Sequence, residues 1–67
     1  IAESVEIFKF NVSEYPESWN AYDSLGEAFL AAGEKDLALK NYQRSVELNP
    51  ENDNGINMVN DLIADTK

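Results

Sequence analysis

Catalysis requires a proton carrier, a nucleophile or a metal ligand, and this chain of 67 residues offers few of these groups. It contains no histidine and no cysteine, so the usual general base, the commonest metal-binding nitrogen and the most reactive nucleophile are all missing. Its serines have no base at a spacing that would activate them, and its three isolated glycines form no phosphate-binding loop. The sequence therefore predicts no catalytic residue, no cofactor and no enzymatic activity.

One pair of carboxylates has the spacing for acid and base work. Asp23 and Glu27 lie one helical turn apart, and two carboxylates in different environments can divide the roles of acid and base. On an exposed helix, however, nothing would desolvate either group and raise its pKa. We therefore interpret the pair as a solubilising one.

A stretch beginning at Pro50 has part of the pattern of a calcium-binding loop. Asn52, Asn54 and Gly55 occupy its third, fifth and sixth places. The first place should supply a carboxylate but holds Pro50, and the twelfth holds Asp61 instead of a bidentate glutamate. Both anchoring places fail, so we expect an Asn-rich turn between helices and no metal site.

The chain is strongly acidic, with a net charge of −8 and only five basic residues. These are Lys9, Lys35, Lys40, Arg44 and Lys67, which are spread along the chain. Polyanion binding requires clustered cations, so neither nucleic acid nor an anionic membrane is an expected partner. No apolar run is long enough to span a bilayer and no signal-peptide pattern occurs, which leaves the localisation undetermined.

Apolar residues recur at intervals of three and four, which predicts an all-α fold of about four helices. The first stripe comprises Ile1, Val5, Phe8, Val12 and Tyr15 and ends before Pro16. The second helix starts around 17–19 and stops before Gly33, a residue suited to a left-handed helix end. The third is expected from about Lys35 to Leu48, with Pro50 beyond it. The fourth follows the Asn-rich turn and carries Ile56, Val59 and Ile63.

The pattern repeats at an interval of 34 residues, which separates Pro16 from Pro50 and Phe8 from Tyr42. Small residues at Gly26 and Ala38 allow two helix backbones to approach closely, and a larger group there would push them apart. We therefore expect the second and third helices to form an antiparallel hairpin, with Gly26 and Ala38 at its closest approach.

These positions resemble the tetratricopeptide repeat (TPR) family, whose pattern is W-x2-L-G-x2-Y…A-x3-F…P. The matching residues are Tyr22, Leu25, Gly26, Phe29, Ala38, Tyr42 and Pro50. The resemblance implies a single TPR-like helical domain over 1–67: the second helix of a preceding repeat at 1–15, a full repeat at 17–50 and a capping helix at 51–67. Asn60, Asp61 and Asp65 should give that cap a polar outer side. We expect the chain to be the C-terminal part of a longer protein.

The resemblance implies a non-catalytic protein–protein interaction module or scaffold. By its alignment, the concave groove is lined by Asn20, Asp23, Ser24, Glu27, Leu30 and Ala31. Asp23 and Glu27 replace the basic and amide residues that bind a terminal carboxylate in chaperone-binding members of the family. A protein or peptide partner is therefore expected to be basic and not acidic.

A second resemblance gives a different class of function. The run from Tyr22 to Phe29 and the segment from Gly33 to Tyr42 resemble short helical tails that follow bacterial serine-hydrolase domains. This resemblance implies a structural or oligomerisation appendage. Ile7 and Phe10 lie off the first apolar stripe, where an intact array would place a neighbouring helix or domain, so they are a candidate docking or self-association face. Trp19 is interpreted as a packing residue.

Overall fold

Four α-helices and their connecting turns form the part of the chain that the computed structural model describes, residues 2–65 with side chains from residue 4. The helices are α1 (Ala2–Glu14), α2 (Trp19–Ala31), α3 (Lys35–Leu48) and α4 (Asp53–Asp65). There is no strand in this part of the chain. The prediction of an all-α fold with about four helices is confirmed. Ile1 and Lys67, which the sequence analysis names, lie outside the described residues.

The turns that enter α2 and α4 repeat each other 34 residues apart. Ser18 N donates to the Tyr15 carbonyl at 3.0 Å, and Asn52 N donates to the Asn49 carbonyl at the same distance. Each turn then ends in a side-chain cap: Ser18 Oγ accepts from Ala21 N at 3.3 Å, and Asn52 Oδ1 accepts from Gly55 N at 3.1 Å. Such caps satisfy amide groups that have no partner within the helix.

Helix α2 ends in a left-handed glycine. Gly33 has φ of 81°, its N–H donates to the Leu30 carbonyl at 3.0 Å, and Glu34 N donates to the Phe29 carbonyl at 2.9 Å. This pair of bonds satisfies the last carbonyl groups of the helix and reverses the chain direction. The chain then enters α3, which pairs with α2 in the most extensive helix contact of the described structure.

The core lies between α2 and its neighbours. Its buried apolar residues are Val5, Leu25, Ala28, Phe29, Ala38, Tyr42 and Leu62, which come from all four helices. Ala38 is completely buried. The atoms nearest to a Cβ built on Gly26 belong to the Tyr42 ring, at 3.0 to 3.1 Å. Gly26 therefore accommodates this ring, whereas the sequence predicts that Gly26 meets Ala38.

Several aromatic residues are more exposed than the sequence predicts. Tyr15, the end of the first apolar stripe, is 66% exposed, because it follows the last residue of α1. Trp19 is 38% exposed at the first turn of α2. Tyr22 is half-buried, and the Arg44 guanidinium lies 5.9 Å from the centre of its ring. The buried residues of α2 are Leu25, Gly26, Ala28 and Phe29.

Candidate functional site: the surface of helix α2

The sequence-predicted groove residues Asn20, Asp23, Ser24, Glu27 and Leu30 all lie on α2, and we call them the α2 surface. Asn20 and Glu27 are exposed, whereas Asp23, Ser24 and Leu30 are half-buried. Leu30 packs against the core. Asn20 and Glu27 therefore reach solvent, whereas Leu30 has a packing role.

Asp23 is hydrogen-bonded within the domain and half-buried, whereas the sequence predicts that Asp23 and Glu27 form an exposed pair of carboxylates. Its Oδ2 atom accepts a hydrogen bond from Asn52 Nδ2 at 2.9 Å. The same nitrogen donates to Ser45 Oγ at 2.9 Å, and Ser45 Oγ donates to the Trp19 carbonyl at 2.9 Å. Asn52 and Ser45 are buried. One polar network therefore joins α2, α3 and the start of α4.

Sequence reasoning missed Ser45 and Asn52. The sequence pattern indicates only an Asn-rich turn at Asn52, although this residue follows Ser18 by 34 residues and so occupies the same capping position. Ser45 is a small polar residue one turn after Tyr42, on the buried side of α3. These two signals were present in the repeat pattern, but the hydrogen bonds connect residues up to 29 positions apart and have no local signature.

Two carboxylates of α2 act on the buried phenol of Tyr42. Burial, then the charges of Asp23 and Glu27, raise the pKa of Tyr42 to about 12. Lys9 and Arg44 lie near this helix, but each has an acidic neighbour, Glu6 for Lys9 and Glu47 for Arg44.

An open groove lies between α1 and α2, and we call it the α1–α2 groove. It has a volume of about 200 Å³ and is lined by Ser4, Phe8, Ser24, Glu27, Ala28 and Ala31. Ser24 and Glu27 thus belong both to the predicted α2 surface and to this groove. Asp23 instead faces the start of α4, where Asn52 holds it.

Ile7 and Phe10 form a separate exposed apolar face on α1. Their exposed fractions are 60% and 64%, and we call them the α1 apolar face. Their equivalents one repeat later are Asn41 and Arg44, which are half-buried and exposed. At the equivalent places α3 thus carries polar residues, whereas α1 carries two large apolar ones. The expectation that a neighbouring helix or domain covers this face stays a prediction.

The described residues hold no group of three or more acidic, histidine or cysteine side chains that could bind a metal ion. In the Asn-rich segment, Asn52 Oδ1 accepts from a backbone amide and its Nδ2 has two acceptors. This amide group is fully used in holding the helices together. None of the helices within residues 2–65 is long and apolar enough to cross a membrane.

Comparison with known proteins supports a TPR-like helical repeat. The chain is 47% identical over 36 residues to human Superkiller complex protein 3, a TPR-containing protein. The match covers 54% of this chain and 2% of that protein, so the chain spans a very small part of its relative. No family model matches the chain, and no solved structure matches it. The resemblance to serine-hydrolase tails gains no support from these comparisons.

Proposed function

We propose that the chain is a non-catalytic protein-interaction module whose α2 surface binds a basic peptide segment. The observation that carries this proposal is the acidity of α2: its charged residues are Asp23 and Glu27, both acidic, and Glu27 is exposed. The similarity to a TPR-containing protein supports the interaction class. The same acidity disfavours a partner that presents a terminal carboxylate.

Binding between exposed charges depends on ionic strength. Exposed charges attract each other over roughly 10 Å at 0.1 M salt and over much shorter distances at 1 M. The affinity for a basic peptide should therefore fall as salt is added. A peptide of equal length that carries glutamates in place of the lysines should bind more weakly at low salt.

The test is a fluorescence-anisotropy titration of the chain with two unstructured nine-residue peptides, one rich in lysine and one rich in glutamate. Glu27→Lys should weaken binding of the lysine-rich peptide, because it reverses the exposed charge of the α2 surface. Glu51→Lys is the matched control, since Glu51 is exposed in the turn before α4. Equal affinity for the two peptides, or equal effects of the two variants, would contradict the proposal.

A second candidate function is self-association through the α1 apolar face. It is supported by the large exposed fractions of Ile7 and Phe10 on neighbouring turns of one helix. Two copies that face each other with this surface would remove both side chains from water in each chain. This function and peptide binding use different sides of the domain, so they are compatible.

A further inference from the structure

Close packing at the start of α4 requires a glycine at position 55. Gly55 is buried, and a Cβ built on it would lie 2.5 Å from Asn52 Nδ2 and 3.0 Å from Val46 Cγ2. Asn52 Nδ2 cannot move aside without breaking its hydrogen bonds to Asp23 and Ser45. A larger residue at position 55 would therefore disturb the polar network that joins α2, α3 and α4.

This glycine makes the preceding residue, Asn54, chemically reactive. An asparagine followed by glycine is prone to deamidation, because the glycine has no side chain to shield the nitrogen of the peptide bond between them. The other asparagines of the chain precede residues that have a side chain. Asn54 is also exposed, so water and hydroxide reach its amide group.

The reaction needs only water and a base from the solvent. The Gly55 nitrogen loses its proton and attacks Asn54 Cγ, the bond from Cγ to Nδ2 breaks, and the leaving nitrogen takes up a proton and departs as ammonia. Water then opens the resulting succinimide ring at one of its two carbonyl carbons. One product has aspartate at position 54, and the other has isoaspartate, in which the backbone runs through Cγ.

The structure holds the attacking nitrogen in a bond that opposes this reaction. Gly55 N donates to Asn52 Oδ1 at 3.1 Å, and Ile56 N donates to the Asn52 carbonyl at 3.0 Å. Asn52 is itself buried and is fixed by the two bonds of its Nδ2 atom. While this cap is intact, the Gly55 nitrogen keeps its proton and its position. The first turn of α4 must therefore open before the nitrogen attacks Asn54.

We propose that Asn54 is a site of spontaneous deamidation and that Asn52, by capping Gly55, sets the rate of this modification. The two products differ in their effect on the fold. Aspartate at position 54 adds a negative charge in the first turn of a helix, which the helix dipole favours. Isoaspartate adds a backbone carbon between positions 54 and 55, which displaces Gly55 from its cap and weakens the bonds of Asn52 to Asp23 and Ser45. Accumulation of isoaspartate therefore loosens α4 from α2 and α3.

The first test compares the folded and unfolded states of the 67-residue chain. The chain is incubated in mildly alkaline buffer, with and without enough urea to unfold it, and mass spectrometry of proteolytic peptides quantifies asparagine, aspartate and isoaspartate at position 54. We expect Asn54 to deamidate at least about tenfold more slowly in the folded chain. Hydrogen exchange of the Gly55 amide measures the opening of the cap independently, and the two rates should rise together as urea is added. Equal deamidation rates in the two states overturn the proposal.

The second test changes the cap. Asn52→Ala removes the oxygen that accepts from Gly55 N, whereas Ala38→Leu destabilises the core and leaves the cap intact. The two variants are compared at urea concentrations that give equal unfolded fractions, so that global unfolding contributes equally to both. Asn54 should deamidate at least about fivefold faster in Asn52→Ala than in Ala38→Leu.

Asn52→Ser separates the cap from the other bonds of Asn52. Like Ser18 at the start of α2, it offers an oxygen to the amide three residues later, but it lacks the donor to Asp23 and Ser45. At an equal unfolded fraction it should deamidate at the rate of Ala38→Leu. Equal rates for Asn52→Ala and Ala38→Leu, or a rate for Asn52→Ser as high as that for Asn52→Ala, overturn the proposal. The comparison of the parent chain in its two states needs no variant, so it decides the matter even if Asn52→Ala does not fold.

Discussion

Asn52 and Asp23, which are 29 residues apart in the chain, are joined by a hydrogen bond of 2.9 Å from Nδ2 to Oδ2. The orientation of the Asn52 amide follows from its partners, since Oδ1 accepts from Gly55 N while Nδ2 donates to Asp23 and Ser45. No side-chain nitrogen or oxygen buried within the described residues is left without a partner. The residue that caps α4 therefore also fixes the position of this helix against α2 and α3.

Replacing Asn52 with aspartate should destabilise the domain strongly. Aspartate still caps a helix, but it has no N–H for Asp23 or Ser45 and brings a negative charge close to the Asp23 carboxylate. We expect a loss of about 2–4 kcal/mol in the free energy of unfolding. Asn54→Asp, which makes the same change at an exposed position of α4, should cost less than about 0.5 kcal/mol. Equal urea midpoints for the two variants would rule out the structural role of Asn52.

Ala38→Leu should overpack the core. Ala38 is completely buried, so three additional carbon atoms can be accommodated only if α2 or α3 moves. The expected loss in the free energy of unfolding is about 1–3 kcal/mol. Ala64→Leu is the control, because Ala64 is exposed on α4 and tolerates a larger side chain. Thermal melts in which Ala38→Leu matches the parent chain would contradict the packing described for α3.

Local signals predicted the helices well. Pro16 precedes α2, Gly33 follows its end, and Pro50 follows the end of α3. The spacing of Leu25 and Phe29 identifies the buried side of α2. These features depend on a few neighbouring residues, so the sequence alone reveals them. The division of the chain into 1–15, 17–50 and 51–67 stays a prediction.

The contacts between helices were harder to predict. The sequence indicates that Gly26 is needed for close packing. It does not show which α3 residue lies against Gly26, because Ala38 and Tyr42 are on the same stripe; the structure shows that it is Tyr42. Nor does the sequence show that Asp23 and Glu27, one turn apart, have different surroundings. Asp23 is held by Asn52, whereas Glu27 lines the α1–α2 groove. That difference arises because Glu27 lies beside α1, whereas Asp23 reaches the residue that caps α4.

The raised pKa of Tyr42 makes stability depend on alkaline pH. Burial and the charges of Asp23 and Glu27 raise this pKa from the ordinary value of 10.0 to about 12. Below pH 10 the phenol is neutral in both the folded and unfolded chain, so its contribution is fully present. Between about pH 10 and 12 the unfolded chain loses the proton first, and up to roughly 3 kcal/mol of stability is lost.

Tyr42→Phe should remove this part of the alkaline destabilisation, since phenylalanine has no proton to lose. Urea midpoints measured from pH 8 to about pH 11 should fall less steeply for Tyr42→Phe than for the parent chain. Tyr15→Phe is the matched control, because the Tyr15 side chain is 66% exposed. If the Tyr42→Phe and parent curves stay parallel over this range, the raised pKa of Tyr42 is not a determinant of stability.

Self-association through the α1 apolar face should appear in sedimentation velocity of the parent chain at high concentration. Because each chain carries a net charge of −8, two copies repel each other, and added salt should strengthen the association by screening that repulsion. Peptide binding to the α2 surface has the opposite salt dependence. The two activities can therefore be distinguished in a single salt series.

The double variant Ile7→Glu, Phe10→Glu should be monomeric, because it places charges at the centre of the contact and leaves the buried residues of α1 unchanged. Asn57→Glu, Asn60→Glu adds the same charge on exposed positions of α4 and should associate as the parent chain does. Ser4→Tyr should also associate normally, since the α1–α2 groove is a different surface. A parent chain that stays monomeric at millimolar concentration and high salt, or equal behaviour of the two double variants, would exclude the α1 apolar face as a self-association site.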